Sequence, residues 1–395
     1  MNDTGDLSSI SVSIDVTAIP MQPGGVGRYV FGLLGALEKV PGASVTLISR
    51  SGDFERWNAI APRACVRDIA PGARPVRIAW EQARLPGIIE KLGVSVHHGP
   101  HYTMPESAEV PKVVTIHDVT FFGHPEWHQR AKVPFFRRAI KVACKSANVL
   151  VCVSESTAEG LRSKLVPKGR VLVVPHGVDH IRFSPEEPEE NPDDQVLKRI
   201  GVSGPYVAFV GTVEPRKDVP TLIKAFDKMC TSHPSLTLVI AGSPGWGEAQ
   251  AASAISDARN SDRIIRLGYI EDAAVPALLR RASAVAYPSL EEGFGLPVLE
   301  ALACAGPVVT TTGSAMEEVA SGAALLVPPG DVDALAGNLD MLVRGDASLD
   351  QRRRKGLEIA ASHTWEASAM GHLNAYRMAC EEPSALDLGE RESLP

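Results

Sequence analysis

Short runs of Val, Ile and Leu alternate with helix-like periodicities along almost the whole chain, and this alternation constrains the fold more than any other feature. The first series is ISVSID (10–15), SVTLIS (44–49), SVHHG (95–99), KVVTIHD (112–118), NVLVCVS (148–154) and RVLVVPHG (170–177). These read as buried strands. Helical repeats such as VGRYVFGLLGALEKV and KVPFFRRAIKVACKSA lie between them, and strands alternating with helices predict a parallel sheet covered on both faces. A second series repeats the pattern: YVAFVG (206–211), LTLVIAG (236–242), RIIRLG (263–268), SAVAYPS (283–289), PVVTT (307–311) and ALLVPP (324–329). Length agrees with two such units, because 395 residues exceed what one hydrophobic core usually organises.

Between the two series lies FSPEEPEENPDDQ (183–195), with three prolines and a block of acids that cannot bury enough apolar surface to fold alone. The expected organisation is an α/β chain with a doubly wound domain at 1–182, an acidic linker at 183–204 that is the hinge candidate, and a second doubly wound domain at 205–364. A C-terminal helix at 365–380 is expected to pack back on the first domain, followed by a frayed tail at 381–395. Two such domains face each other across a cleft, and open α/β sheets bind ligands at the carboxyl ends of their strands.

Composition excludes several classes. A net charge of −7 gives nucleic acid no general attraction, so any anion must be held locally. The six cysteines include no Cys-x-x-Cys pair and sit mostly in apolar runs, which predicts buried free thiols in a reducing cytoplasm rather than disulfides or a zinc site. The start MNDTGDLSS lacks a basic segment followed by an apolar core, and no apolar run reaches the roughly 18 residues of a membrane span, so a cytoplasmic protein is expected. The run RAKVPFFRRAIKVACK (130–145) leaves two readings open, a helix covering the sheet or one touching an anionic membrane surface.

Three loops after strands carry candidate chemistry. PGGVGRY (23–29) places Gly24, Gly25 and Gly27 where backbone amides can approach a phosphate at a helix start. The dinucleotide pattern is broken by Val30, and Arg50 stands where a ribose-binding acid would end the second strand, which argues against hydride transfer. GTVEPRKD (211–218) offers Gly211 and two cations, Arg216 and Lys217, suited to a diphosphate. EEGFGLPVLEALACAGPVVTT (291–311) sets Glu292 and Glu300 around the turn Gly293–Phe294–Gly295–Leu296, with Pro297 near a helix start whose dipole favours an oxyanion. Carboxylates do not ligate phosphate, so Glu292 and Glu300 point to hydroxyls, and the ligand to something carrying both phosphate and sugar.

Taken together, GGVGRY, TIHD, VSESTAEGL, VPHGVD, GTVEPRK and EGFGLPVLEALACAGPVV resemble the retaining, nucleotide-sugar-dependent glycosyltransferases of family 4, over about residues 10–380. The resemblance implies the GT-B fold, two Rossmann-like domains across a cleft, with the donor held by the second. It implies that Glu300 meets the ribose hydroxyls and that Glu292 lies beside the transferred sugar. Amides around Phe294 to Leu296 would serve the sugar and diphosphate, Arg216 and Lys217 the diphosphate oxygens, and the Gly24–Gly27 loop would close over the donor. His117 and Asp118 would sit at the sugar near the acceptor side. The family often carries Gly-Arg where this chain has Gly211-Thr212, so either Arg216 supplies that guanidinium or a cation is missing.

No metal or other cofactor is expected, since the one Asp-x-Asp match, Asp331-Val332-Asp333, reads as a helix cap. The segment WEQARLPGIIEKLGVSVHHGPHYTMP (80–105) is similar to segments in bacterial mannosyltransferases of surface polysaccharide synthesis, which makes GDP-mannose the first expected donor and UDP-sugars the second. The acceptor is expected to be a glycan or lipid-linked hydroxyl, with His98, His101 and Tyr102, among a group that also includes His97, Phe121, Phe122 and Trp127, available to stack on sugar rings. A nucleotide-sugar epimerase or hydrolase in the same cleft is the rival reading.

Overall fold

A computed structural model describes residues 9–22, 24–345 and 347–381; nearly all of the expected tail lies outside the described residues. The first sheet contains β1 (Ile10–Asp15), β2 (Ala43–Arg50), β3 (Cys65–Ala70), β4 (Val96–Gly99), β5 (Lys112–Ile116), β6 (Val149–Cys152) and β7 (Arg170–Val173). The second contains β8 (Tyr206–Val210), β9 (Thr237–Ala241), β10 (Ile264–Gly268), β11 (Ala284–Tyr287), β12 (Val308–Thr311) and β13 (Leu325–Val327). All pairings are parallel, in the orders β3-β2-β1-β4-β5-β6-β7 and β10-β9-β8-β11-β12-β13. The Val- and Ile-rich runs are central strands, and β4, β5, β6, β11 and β12 are buried along their whole length. β3, CVRDIA, was not expected. It is an edge strand whose residues are mostly exposed or half-buried, so it lacks the apolar run that marks the others.

Strand order decides where a ligand can sit. In the first sheet the chain reverses direction between β1 and β4, and in the second between β8 and β11, so the loops after these strands diverge and leave a crevice at each switch point. The loop after β8 carries Arg216 and Lys217, and the loop after β11 carries Glu292–Gly295.

The acidic segment is shorter as a linker than expected. Phe183 is buried in the second domain's core, and residues Asp193–Arg199 form a helix. Its Asp193 is buried and paired with Arg280 through bonds of 2.8 and 2.6 Å. The acids that suggested a solvated linker are therefore partly consumed by buried ion pairing.

The chain crosses between the domains earlier, near Gly177–Asp179, and returns at His363–Trp365. The two crossings lie side by side: Val178 donates its amide to the His363 carbonyl at 3.0 Å, and a side chain on Gly177 would collide with the Trp365 backbone. The final helix, Trp365–Cys380, packs on the first sheet, with Ala369, Leu373 and Tyr376 in that domain's core.

In the Lys132–Ser146 helix, Val133, Phe136, Ala139, Ile140 and Ala143 are buried beside β5 and β6, so its apolar face covers the sheet. All six cysteines are free, but Cys65 and Cys380 are exposed, because one lies on the edge strand and the other ends the last helix. No described helix is long and apolar enough to cross a membrane. Asp331 caps the Val332–Arg344 helix, its Oδ1 accepting from the Ala334 amide at 2.9 Å.

Candidate active site

Four groups from the second domain meet at its switch point. Glu292 is ion-paired with both Arg216 and Lys217, Arg216 donates to the Glu291 carbonyl at 2.9 Å, and Glu214 stands 3.4 Å from the same guanidinium. Burial works against a charged Glu292, but Arg216 and Lys217 outweigh it and hold the carboxyl down at about 2. Burial likewise opposes the Arg216 charge, and Glu292, Glu214 and Asp118 more than offset it. Arg216 is thus kept charged in a mostly buried position beside Lys217, and the carboxylate that pairs with both is the one the family resemblance set beside the sugar.

The turn after Glu292 is shaped by contacts within the protein. A Cβ on Gly293 would lie 1.6 Å from the His117 carbonyl oxygen, and the Gly293 carbonyl accepts hydrogen bonds from Ser154 (2.6 Å) and Thr157 (2.9 Å) of the first domain. Gly295 has φ of +100°, and a Cβ there would meet Met316 at 2.9 Å. It precedes the Leu296–Ala303 helix, whose first turn has no side-chain cap and carries Pro297, leaving its positive end for a ligand anion. The Phe294 ring packs edge-on against His176 at 4.8 Å, so this residue offers the cleft only its backbone.

Glu300 is 3% exposed, and Arg28 Nη1 bonds both of its oxygens at 2.9 Å. Arg28 also reaches Asp272 at 3.4 Å, and Arg182 donates to the Asp272 carbonyl at 2.6 Å. Burial raises the Glu300 carboxyl above its ordinary range, while Arg28 and Arg182 pull it back. This ring of charges joins the two domains, and sequence reasoning missed Arg28, Arg182 and Asp272. Arg28 follows Gly27 directly, so the glycine motif held the one available signal. Replacing Arg28 with Ala strands a buried carboxylate and is expected to cost on the order of 2 kcal/mol in chemical denaturation, Arg28 itself being partly hydrated. A loss below about 0.5 kcal/mol would mean that water substitutes for the guanidinium.

On the opposite wall, Gly24 precedes the Gly25–Leu37 helix. A Cβ on Gly24 or Gly25 would meet no protein atom within 4 Å, whereas Gly27 is buried in the helix. Gly211 is also uncrowded, since a Cβ there would lie 3.6 Å from Phe209. His117 Nε2 donates to the Pro100 carbonyl at 2.8 Å, and burial lowers the ring's basicity, so the imidazole is neutral with Nδ1 as its acceptor nitrogen. Asp118 accepts from the Tyr102 hydroxyl at 3.0 Å and from Thr120, which fixes the loop after β5.

His101, Tyr102, His117 and Asp118 line one cavity of about 530 Å3, with Arg216 and Glu214 entering it from the other domain. His98 does not belong to it. The His98 ring is fully buried, bonded to Tyr376 (2.9 Å) and Thr115 (2.8 Å), and so holds the last helix to the sheet instead of facing an acceptor. His97 is equally buried against Ser13. Of the aromatic group, Phe121 lines the cavity, while Trp127 stacks on His124 and its carbonyl accepts the Trp246 indole N–H at 2.6 Å across the cleft.

Residues 23–182 match the Glycosyltransferase Family 4 model and residues 193–358 the Glycosyl transferases group 1 model. The chain is 30% identical to an O-antigen chain mannosyltransferase B of Escherichia coli over 72% of this chain and 74% of that protein. It is also 30% identical to a GDP-mannose-dependent monoacylated alpha-(1-6)-phosphatidylinositol monomannoside mannosyltransferase of Corynebacterium glutamicum, over 52% of this chain and 55% of that one. In fold it is similar to the sucrose-phosphate synthase of Thermosynechococcus elongatus, with a TM-score of 0.76 and 19% identity, covering 93% of this chain and 98% of that one.

Proposed function

This chain belongs to the glycosyltransferases that join a family 4 domain to a group 1 domain in the GT-B fold, and from that premise we propose that it is a retaining mannosyltransferase using GDP-mannose. The acceptor is a hydroxyl of a glycan or lipid-linked glycan. The observation that carries the reading is the Arg216–Glu292–Lys217 cluster at an uncapped helix start, facing His117 and Asp118 across the cleft. Mannose and the guanine nucleotide are supported by the two mannosyltransferase relatives.

In this reaction the bond from the anomeric carbon to the diphosphate oxygen breaks while the acceptor oxygen bonds to the same carbon. The acceptor's proton passes to the departing phosphate oxygen. Negative charge grows on the diphosphate, so Arg216, Lys217 and the helix start stabilise the transition state more than the ground state. These groups can carry the leaving-group charge without a metal ion. Glu292 then turns from its cations toward the sugar, where a carboxylate opposes the positive charge of an oxocarbenium-like ring. Glu300 accepts from the ribose hydroxyls in place of Arg28.

Thermal denaturation with GDP, UDP, ADP and dTDP, then with the matching nucleotide sugars in metal-free buffer, tests the reading. GDP is expected to give the largest rise, since a ligand present at 100 times its Kd adds about 2.7 kcal/mol. A UDP-selective shift would move the donor to a UDP-sugar. Absence of any shift at millimolar nucleotide would sink the proposed site, and turnover of the nucleotide sugar with no acceptor present would favour an epimerase or hydrolase.

A further inference from the structure

The cavity beside His101 and Tyr102 contains two carboxyl groups that the transfer chemistry leaves without a task. Asp15 ends β1, where its Oδ1 accepts the Thr17 amide at 2.8 Å. Glu81 projects from the Arg74–Ala83 helix and is only 7% exposed, the one buried residue of that helix. Thr103 hydrogen-bonds its carboxyl, yet Oε1 is buried with no partner among the described residues. An unpartnered buried carboxyl oxygen is costly, and helix surfaces do not normally turn a glutamate inward for packing. Glu81 lines an open cavity, and a ligand seated there can supply the missing partner.

The rest of the cavity limits what that ligand can be. Tyr102, Phe121, Phe135 and Phe136 present aromatic surface in the same space. Rings and carboxyl groups in one cavity suit a pyranose, whose C–H face packs on aromatics while its hydroxyls bond at the edge. We propose that Asp15 and Glu81 form the acceptor-binding edge of this cavity and grip neighbouring hydroxyls of an uncharged pyranose. The word acceptor rests on the transferase reading; the sugar binding does not.

The charges that line the cavity are of both signs, Arg74, Arg77, Lys132 and Arg216 standing with Asp15, Glu81, Asp118 and Glu214, so no excess of either sign calls for a charged ligand. Burial, then the charge of Asp15 and to a smaller extent that of Glu106, push the Glu81 carboxyl up to about 8, with Arg77 acting in the opposite direction. Burial also raises Asp15, against Arg77. At neutral pH Glu81 therefore keeps its proton and, with Asp15, offers a sugar diol both a donor and an acceptor.

The test is saturation-transfer NMR on the full chain with the methyl glycosides of mannose, glucose and galactose, beside mannose 6-phosphate and glucose 6-phosphate. At least one neutral glycoside is expected to bind. Glu81→Met fills nearly the same volume without a polar atom, so the variant is expected to be at least as stable as the parent while binding falls about tenfold or more. Glu81→Gln restores a donor and an acceptor and is expected to recover most of the binding.

The proposal is overturned if no neutral glycoside binds the unaltered protein, if only the sugar phosphates bind, or if Glu81→Met binds like the parent. Nucleotide-induced thermal shifts, measured on the same samples, report the other domain. A missing shift alongside Glu81-dependent glycoside binding removes the donor reading and leaves this one standing.

Discussion

Replacing Glu292 with Gln is expected to lower the transfer rate by about 100- to 1000-fold while nucleotide affinity stays the same or improves. The two effects separate because Glu292 has two relationships. In the ligand-free protein it neutralises Arg216 and Lys217, which would otherwise face one another as buried cations. A neutral amide leaves both cations to the diphosphate, so binding does not suffer. During transfer the same position lacks the charge that opposes the forming oxocarbenium ion, so the rate does.

Calorimetry with GDP and initial rates with the nucleotide sugar measure the two quantities independently. Equal losses in both would remove the proposed role at the sugar and make Glu292 a holder of cations only.

Acid titration offers a further check on the same side chain. Its carboxyl is held down at about 2 in the folded protein against an ordinary 4.5. A depressed carboxyl contributes stability that is fully present above the unfolded value and disappears as the pH falls through the folded one. The contribution is therefore lost between roughly pH 5 and 2 in the parent. That part of the acid limb is absent in Glu292→Gln.

Gly293→Ala is expected to cost about 100-fold in transfer with a well-folded protein. The added methyl would sit 1.6 Å from the His117 carbonyl oxygen, and because that atom is backbone, no side-chain rotation relieves the clash. The two walls of the cleft have to part by more than 1 Å, stretching the Ser154 and Thr157 hydrogen bonds to the Gly293 carbonyl. A displacement of this size moves the donor loop away from His117 and Asp118, and misplacement by about 1 Å is enough for a loss of that order. Nucleotide binding is expected to change little, since Arg216, Lys217 and Glu300 all belong to the second domain. Rates in Gly293→Ala within threefold of the parent would show that transfer does not need the two walls in contact.

Much of this protein is written locally in its sequence. Runs such as KVVTI and AVAY are buried on both faces because a parallel sheet between two helical layers leaves no wet side, and such runs are visible without any knowledge of their neighbours. The loops GTVEPRK and EEGFGLP were equally legible, because glycines, a helix start and cations next to a strand have few other uses. β3 was not legible, since an edge strand keeps polar residues such as Arg67 and Asp68 among its apolar ones.

What the tertiary structure alone decided is which of these pieces touch. His98 looked like a ligand at a strand end and is a core hydrogen-bonding group, because the last helix returns more than 270 residues later to cover it with Tyr376. Asp193 looked like part of a solvated linker and is a buried counter-ion of Arg280. Arg28 meets Glu300, Gly293 meets His117, and Glu81 comes to share a cavity with Asp15 only once strand order and the facing of two sheets bring distant loops together. Residue type and short-range spacing encode the local elements through backbone propensity and burial. Pairings across 60 to 280 residues depend on chain topology, which no short window of sequence contains.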